Sequence, residues 1–199
     1  MQELKDKVSY AVGLSIAESL KSQQLGSLDL NFLKDGIQDV FEQKELKINP
    51  QEANGLIQAY LEEANTAAFG ENKEQGIAFL ETNKNKQGIL TTESGLQYEV
   101  IEEGEGVKAG ATDTVTVHYH GTLIDGTVFD SSTERGTPAS FGVNQVIPGW
   151  TEALQLMSAG AKYRLYIPQE LAYGANPHPG GPIKPYSALI FDVELIEIK

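Results

Sequence analysis

Leu4, Val8, Val12, Ile16 and Leu20 recur at every fourth position, which lays one apolar stripe along a helix with otherwise polar faces. Gly26 and Ser27 break that period. Leu30, Leu33, Ile37, Val40 and Phe41 resume it, so the spacing predicts a second helix with Asp29 as its N-cap. A third helix starts at Asn49-Pro50. Asparagine caps, proline has no N–H to leave unpaired in the first turn, and Glu52 sets negative charge at the positive end of the helix dipole. Ala53, Leu56, Ile57, Tyr60, Leu61 and Ala64 follow at helical spacing, and Phe69, Ile77 and Leu80 carry the pattern toward Gly88. Running from about Pro50 to about Lys86, this helix would measure roughly 55 Å at ~1.5 Å per residue. That outruns the core two short helices can cover, so the stripe needs a partner surface. Self-association supplies one; folding back onto the C-terminal half is the alternative.

Beyond residue 94 the period shortens from four to two. Leu96–Ile101, Thr114–Leu123, Ser140–Val143, Tyr163–Ile167 and Leu189–Ile198 alternate or are rich in β-branched and aromatic residues, the signature of strands. Asp125-Gly126 is a hairpin turn signal. A short helix fits between Pro148 and Met157, with Trp150, Leu154 and Met157 on one face. The prediction is an α+β chain: an all-α N-terminal part with a long connecting helix, then an antiparallel sheet of five to six strands wrapped on a short helix. One proline stands in residues 1–88 and seven after it, which sets the boundary near Gly88 to Ser94. The expected divisions are 1–48, a helical domain; 49–88, the connecting helix; and 89–199, the sheet domain.

Composition narrows the chemistry. The absence of cysteine among 199 residues excludes disulfides, thiolate metal sites and a cysteine nucleophile. Residues 1–88 carry nine Lys/Arg against fourteen Asp/Glu, and residues 89–199 six against fourteen, so neither half offers a basic face to nucleic acid or to an anionic membrane. The start, MQELKDKVSY, lacks the apolar core of a signal peptide, so a cytoplasmic location is expected, with the periplasm as the alternative if a leader has been removed. His118 and His120 share a strand face but lack a third ligand at zinc spacing and read as ordinary strand positions; no metal and no cofactor is expected. GEGVKAG (104–110) lies between strands and reads as a loop, no phosphate-binding Gly-Lys-Ser/Thr occurs, and no GxSxG elbow occurs.

What stands out is a set of short aromatic motifs flanked by turn residues: VHYHGTL (117–123), DGTVFDSS (125–132), VIPGW (146–150), LAYG (171–174) and ALIFDVEL (188–195). They put rings at strand ends and loop starts, where an apolar hollow with one carboxylate can form, suited to receiving a proline ring. In these motifs, by order and spacing, residues from about 95 onward resemble the FKBP-type peptidyl-prolyl isomerase domain. Residues 1–88 resemble, more loosely, the dimerisation segment of its Mip-like bacterial members.

The resemblance implies an isomerase of X-Pro bonds in folding proteins that makes no covalent intermediate, with client holding by the N-terminal helices. It implies a homodimer through residues 1–88, proline-containing unfolded polypeptides as partners, and binding of FK506-like macrolides. By position, Tyr119, Phe129, Asp130, Ile147 and Tyr173 match the catalytic residues. Val146, Trp150, Ile183, Phe191, Arg135 and His178 match the substrate-binding ones, His178 in a loop one residue longer than the family's. Ala139 departs from the pattern, standing where many members carry a wall aromatic, and Phe141 is expected in the core. A non-catalytic holdase or peptide-binding module is the alternative reading. A metal-handling relative is disfavoured because the chain ends at Lys199 without a His- or Cys-rich tail.

Overall fold

Three helices stand where the apolar periods place them: α1 (Gln2–Ser22), α2 (Leu30–Phe41) and α3 (Pro50–Asn83). The two caps also form. The Asp29 carboxylate accepts from the N–H groups of Asn31 at 2.8 Å and Phe32 at 3.3 Å, and Asn49 Oδ1 accepts from the Glu52 N–H at 2.8 Å. The computed structural model describes residues 2–23 and 25–199, which separate into two compact units, one up to Ala68 and one from Phe69 onward.

The first unit buries almost none of its apolar stripes. Neither α1 nor α2 contains a buried residue, and Val12, Phe32 and Phe41 are 53%, 73% and 84% exposed. The Ser27 and Tyr60 hydroxyls, 2.7 Å apart, tie the α1–α2 link to α3.

The second unit holds the core. Its strands are β1 (Ile89–Thr91), β2 (Gln97–Glu102), β3 (Glu105–Lys108), β4 (Thr114–Leu123), β5 (Val128–Ser131), β6 (Ala139–Gly142), β7 (Ser158–Ala159), β8 (Lys162–Ile167) and β9 (Leu189–Ile198). Seven of them form one antiparallel sheet in the order β1-β2-β8-β9-β4-β5, with β6 pairing the first half of β4. The count exceeds the predicted five to six because β1 and β5, of three and four residues, are too short to show a period. GEGVKAG is not all loop: β3 pairs with β7. A Cβ on Gly104 would lie only 2.5–2.7 Å from backbone atoms of Ser158, Ala159 and Ala161, so glycine is what permits this approach.

Inward positions Val115, Val117 and Tyr119 of β4 face Phe191, Val193 and Leu195 of β9, all under 8% exposed. The short helix α5 (Pro148–Leu154) lays Trp150, Ala153 and Leu154 across them. A Cβ on Gly149 would meet the Ile167 side chain at 2.6 Å, so this glycine lets α5 sit close to the sheet.

The last part of α3 belongs to this unit. Asn83 is fully buried and donates to Gln97 Oε1 at 3.0 Å, while Gln97 Nε2 donates to the Leu80 carbonyl at 2.9 Å. The Phe79 and Tyr166 rings meet at 6.0 Å.

Candidate active site

A cavity of about 660 Å³ opens over the centre of the sheet. Trp150 lies at its base because Pro148 starts α5 and the Trp150 N–H turns back to the Ile147 carbonyl at 2.9 Å. Rings surround that indole edge-on: Tyr119 at 5.4 Å, Phe191 at 5.2 Å and Phe141 at 5.9 Å between centroids. Phe129 stands against Phe191 in the same manner at 5.2 Å. Such T-shaped contacts add to area burial and fix ring planes, so the cavity shape is built in before any ligand arrives. Gly121, on β4 between these rings, has no room for a side chain: a Cβ there would lie 2.6 Å from the Phe129 ring and 2.9 Å from the Phe191 ring.

One carboxylate faces this apolar space. Asp130 leaves β5 just before the one-turn helix α4 (Ser132–Arg135), which Ser131 caps by accepting from the Glu134 N–H at 3.1 Å. That turn brings Arg135 back onto Asp130. The Tyr119 hydroxyl donates to the other carboxylate oxygen at 2.5 Å and accepts from Arg135 at 2.9 Å. Burial pushes the Asp130 carboxyl upward, but the hydrogen bonds from Tyr119 and Arg135 and the guanidinium charge outweigh it and hold its pKa below the ordinary value. Tyr119 is raised by burial and by Asp130, so it stays a donor. Ser132 locks the turn to β4 by accepting from the Tyr119 N–H at 2.8 Å. His118 and His120 meet the hydroxyls of Ser132 and Ser131 at 3.2 Å and 3.0 Å.

Ten of the eleven residues picked from the sequence line this cavity: Tyr119, Phe129, Asp130, Val146, Ile147, Trp150, Tyr173, His178, Ile183 and Phe191. Arg135 is the exception; half-exposed at the rim, it acts on the cavity through Asp130 and Tyr119. Ile147 lines the cavity, and its N–H makes no hydrogen bond among the described residues. Tyr173 is 43% exposed, and burial together with the Asp130 charge keeps its hydroxyl protonated.

Four lining residues were not foreseen: Phe141, Gln145, Gly181 and Pro182. Phe141 keeps the core contact expected of it and takes a second role. It is half-buried and packs on the core, yet its ring also lines the cavity. The pairing Val117–Ala139 and Val115–Phe141 shows why, since residues two apart on β6 share a face. The alternation is visible in the sequence, but which ring reaches the cavity depends on the register against β4. Gln145 and the Gly181-Pro182 pair sit in irregular backbone, where no period exists to read.

Comparison with known proteins gives the same direction. The family described as FKBP-type peptidyl-prolyl cis-trans isomerase matches residues 105–196, and the domain amino terminal to such isomerases matches residues 5–100. The chain is 45% identical over 198 residues to the "FKBP-type 22 kDa peptidyl-prolyl cis-trans isomerase" of Escherichia coli K12, covering 98% of this chain and 96% of that protein. It is also 45% identical over 204 residues to "Outer membrane protein MIP" of Legionella longbeachae, covering 98% and 86%. Among solved structures, FkpA from Escherichia coli superposes with a TM-score of 0.64 at 40% identity, covering 100% of this chain and 96% of that one.

Proposed function

This chain belongs to the FKBP-type peptidyl-prolyl cis-trans isomerases and is an enzyme of that kind; from this premise we propose that it accelerates X-Pro rotation in folding polypeptides by holding the half-rotated amide in the ring-walled cavity, with no covalent step. The observation that carries the proposal is one carboxylate, fixed by Tyr119 and Arg135, facing a cavity whose base and walls are otherwise mostly aromatic and aliphatic.

Rotation about a peptide C–N bond faces a barrier of about 18–20 kcal/mol because resonance must be broken. X-Pro isomers differ little in energy yet exchange over tens to hundreds of seconds. The enzyme must therefore bind the twisted amide more tightly than either planar form. An acceleration of about 10⁵-fold needs roughly 7 kcal/mol of that preference.

The cavity supplies it as follows. Trp150, Phe129, Val146, Ile147 and Phe191 enclose the proline ring in low dielectric. A twisted amide is less dipolar than a planar one and loses less on leaving water. The Ile147 N–H and the Tyr173 hydroxyl hold substrate carbonyls. Asp130 supplies a preorganised negative field beside the rotating carbonyl carbon and acts electrostatically, not as a base. His178 and Ile183 close the wall beyond Tyr173. FK506-like macrolides would occupy the same site.

Residues 1–48 serve as a dimerisation domain, 49–88 as the connecting helix and 89–199 as the isomerase domain, with the last part of α3 packed on the isomerase core. The exposed stripes of α1 and α2 support both a homodimer through residues 1–88 and the holding of unfolded clients. The name of the Legionella relative favours an envelope location over a cytoplasmic one; among the described residues no helix is long and apolar enough to cross a membrane. The test is a solution mass of the intact chain beside a proline isomerisation rate with and without FK506. A dimer mass and a rate abolished by the macrolide are expected. A rate insensitive to saturating macrolide removes the cavity from the proposal, and a monomer mass removes the dimer.

A further inference from the structure

One wall of the cavity, residues 175–187, has no regular secondary structure, yet it carries His178 and Ile183. Tyr186 anchors it. Its backbone is left-handed, φ 62°, a conformation unfavourable for a residue with a large side chain. The residue is only 6% exposed, and the Lys73 ammonium lies 5.7 Å from its ring centroid. On either side α3 grips the same segment. Asn72 Nδ2 donates to the Pro185 carbonyl at 3.2 Å, and a Cβ on Gly76 would stand 3.2 Å from the Ala188 Cβ, so the glycine allows close contact there. From Tyr186 the connection runs inward: its N–H donates to the Gly174 carbonyl at 2.8 Å, and Gly174 directly follows Tyr173.

We propose that Tyr186 is a positioning residue for the isomerisation: in a segment clamped by Asn72, Lys73 and Gly76 of α3, it sets the placement of Tyr173. The final part of the long helix is then part of the support of the active site and not only a connector. An unfavourable backbone conformation persists only where its surroundings over-determine it, and here α3 does so. The inference rests on Tyr173 being a substrate contact.

Two full-length variants test it from opposite sides. Tyr186→Asn removes the ring while tolerating the left-handed backbone; Gly76→Leu favours the helix but pushes Ala188 away. Each should lower kcat/KM on a short proline peptide about tenfold, because misplacement of a positioning contact by ~1 Å is costly. In a Tyr173→Phe background the same substitutions should cost less than about threefold, whereas in a Phe129→Ala background, which removes a ring packed on Phe191 and not on the Tyr186 segment, the tenfold loss should persist. Unchanged kcat/KM in both variants, or full additive losses in the Tyr173→Phe background, overturns the inference. Wild-type activity of Tyr173→Phe alone would instead remove the substrate-contact reading beneath it, so the two failures are told apart.

Discussion

Gly121→Ala adds a single methyl and should cost far more than its size. The new Cβ would stand 2.6 and 2.7 Å from two carbons of Phe129 and 2.9 Å from one of Phe191. Carbon pairs settle at about 3.5–4.0 Å, so the rings must retreat by roughly 1 Å. Phe191 is pinned against Trp150 and Tyr119, both in the core, while Phe129 is half-buried at the cavity wall. Phe129 therefore moves, and the move goes into the space meant for the proline ring. Overpacking of this kind costs about 1–3 kcal/mol of stability. The catalytic loss should be larger in proportion, roughly tenfold to a hundredfold in kcat/KM, from misplacement of a wall residue. A protease-free peptide isomerisation assay beside urea unfolding reads both. Wild-type kcat/KM in a protein that has lost stability as stated would refute the reasoning, because the methyl would then have been absorbed without touching the cavity.

Other outcomes follow from the same geometry. Asp130 is held ionised by Tyr119 and Arg135, and Tyr119 and Tyr173 are raised by burial, so kcat/KM should stay level from about pH 5 to about pH 9. A bell-shaped kcat/KM profile centred near neutrality would contradict that level profile; separately, because the folded Asp130 pKa is depressed, its contribution to stability is complete above the ordinary aspartate pKa and is lost as pH falls through the lower folded value. Ala139→Phe, sharing a β6 face with Phe141, should add a second ring at that wall and tighten macrolide binding several-fold, read by calorimetry, with no change if residue 139 lies outside the bound ligand's reach. Val12→Asp should dissociate the proposed dimer in a solution mass measurement while short-peptide kcat/KM stays within about twofold, because charge cannot remain buried in an apolar interface; an unchanged mass places the interface away from α1.

Much of this was legible in the chain because it is periodic. The four-residue stripes of α1 and α2, the Asn49-Pro50 start of α3 and the alternation of β4 and β9 each follow from side-chain geometry alone. The pocket was legible through motifs: FDSS places Asp130 and the serine that caps α4, and VIPGW places Trp150 two residues after Pro148, in the first turn of α5. What stayed hidden depends on contacts distant in sequence. Phe141 turns toward the cavity because of its register against β4, and Gly121 is required by two rings eight and seventy residues away. Tyr186 is the extreme case. Its left-handed backbone and its place under Lys73 arise from packing between α3 and a loop more than a hundred residues on, which no local pattern encodes.

The central claim is that a dry, ring-walled hollow with one fixed carboxylate stabilises a twisted imide. It is tested most directly by the exchange rate of a short X-Pro peptide, measured by NMR under saturating enzyme for Phe129→Ala, Asp130→Leu and Trp150→Leu beside the unaltered chain. All three should slow exchange by about tenfold or more while each protein remains folded. Near-wild-type exchange in all three folded variants would contradict it.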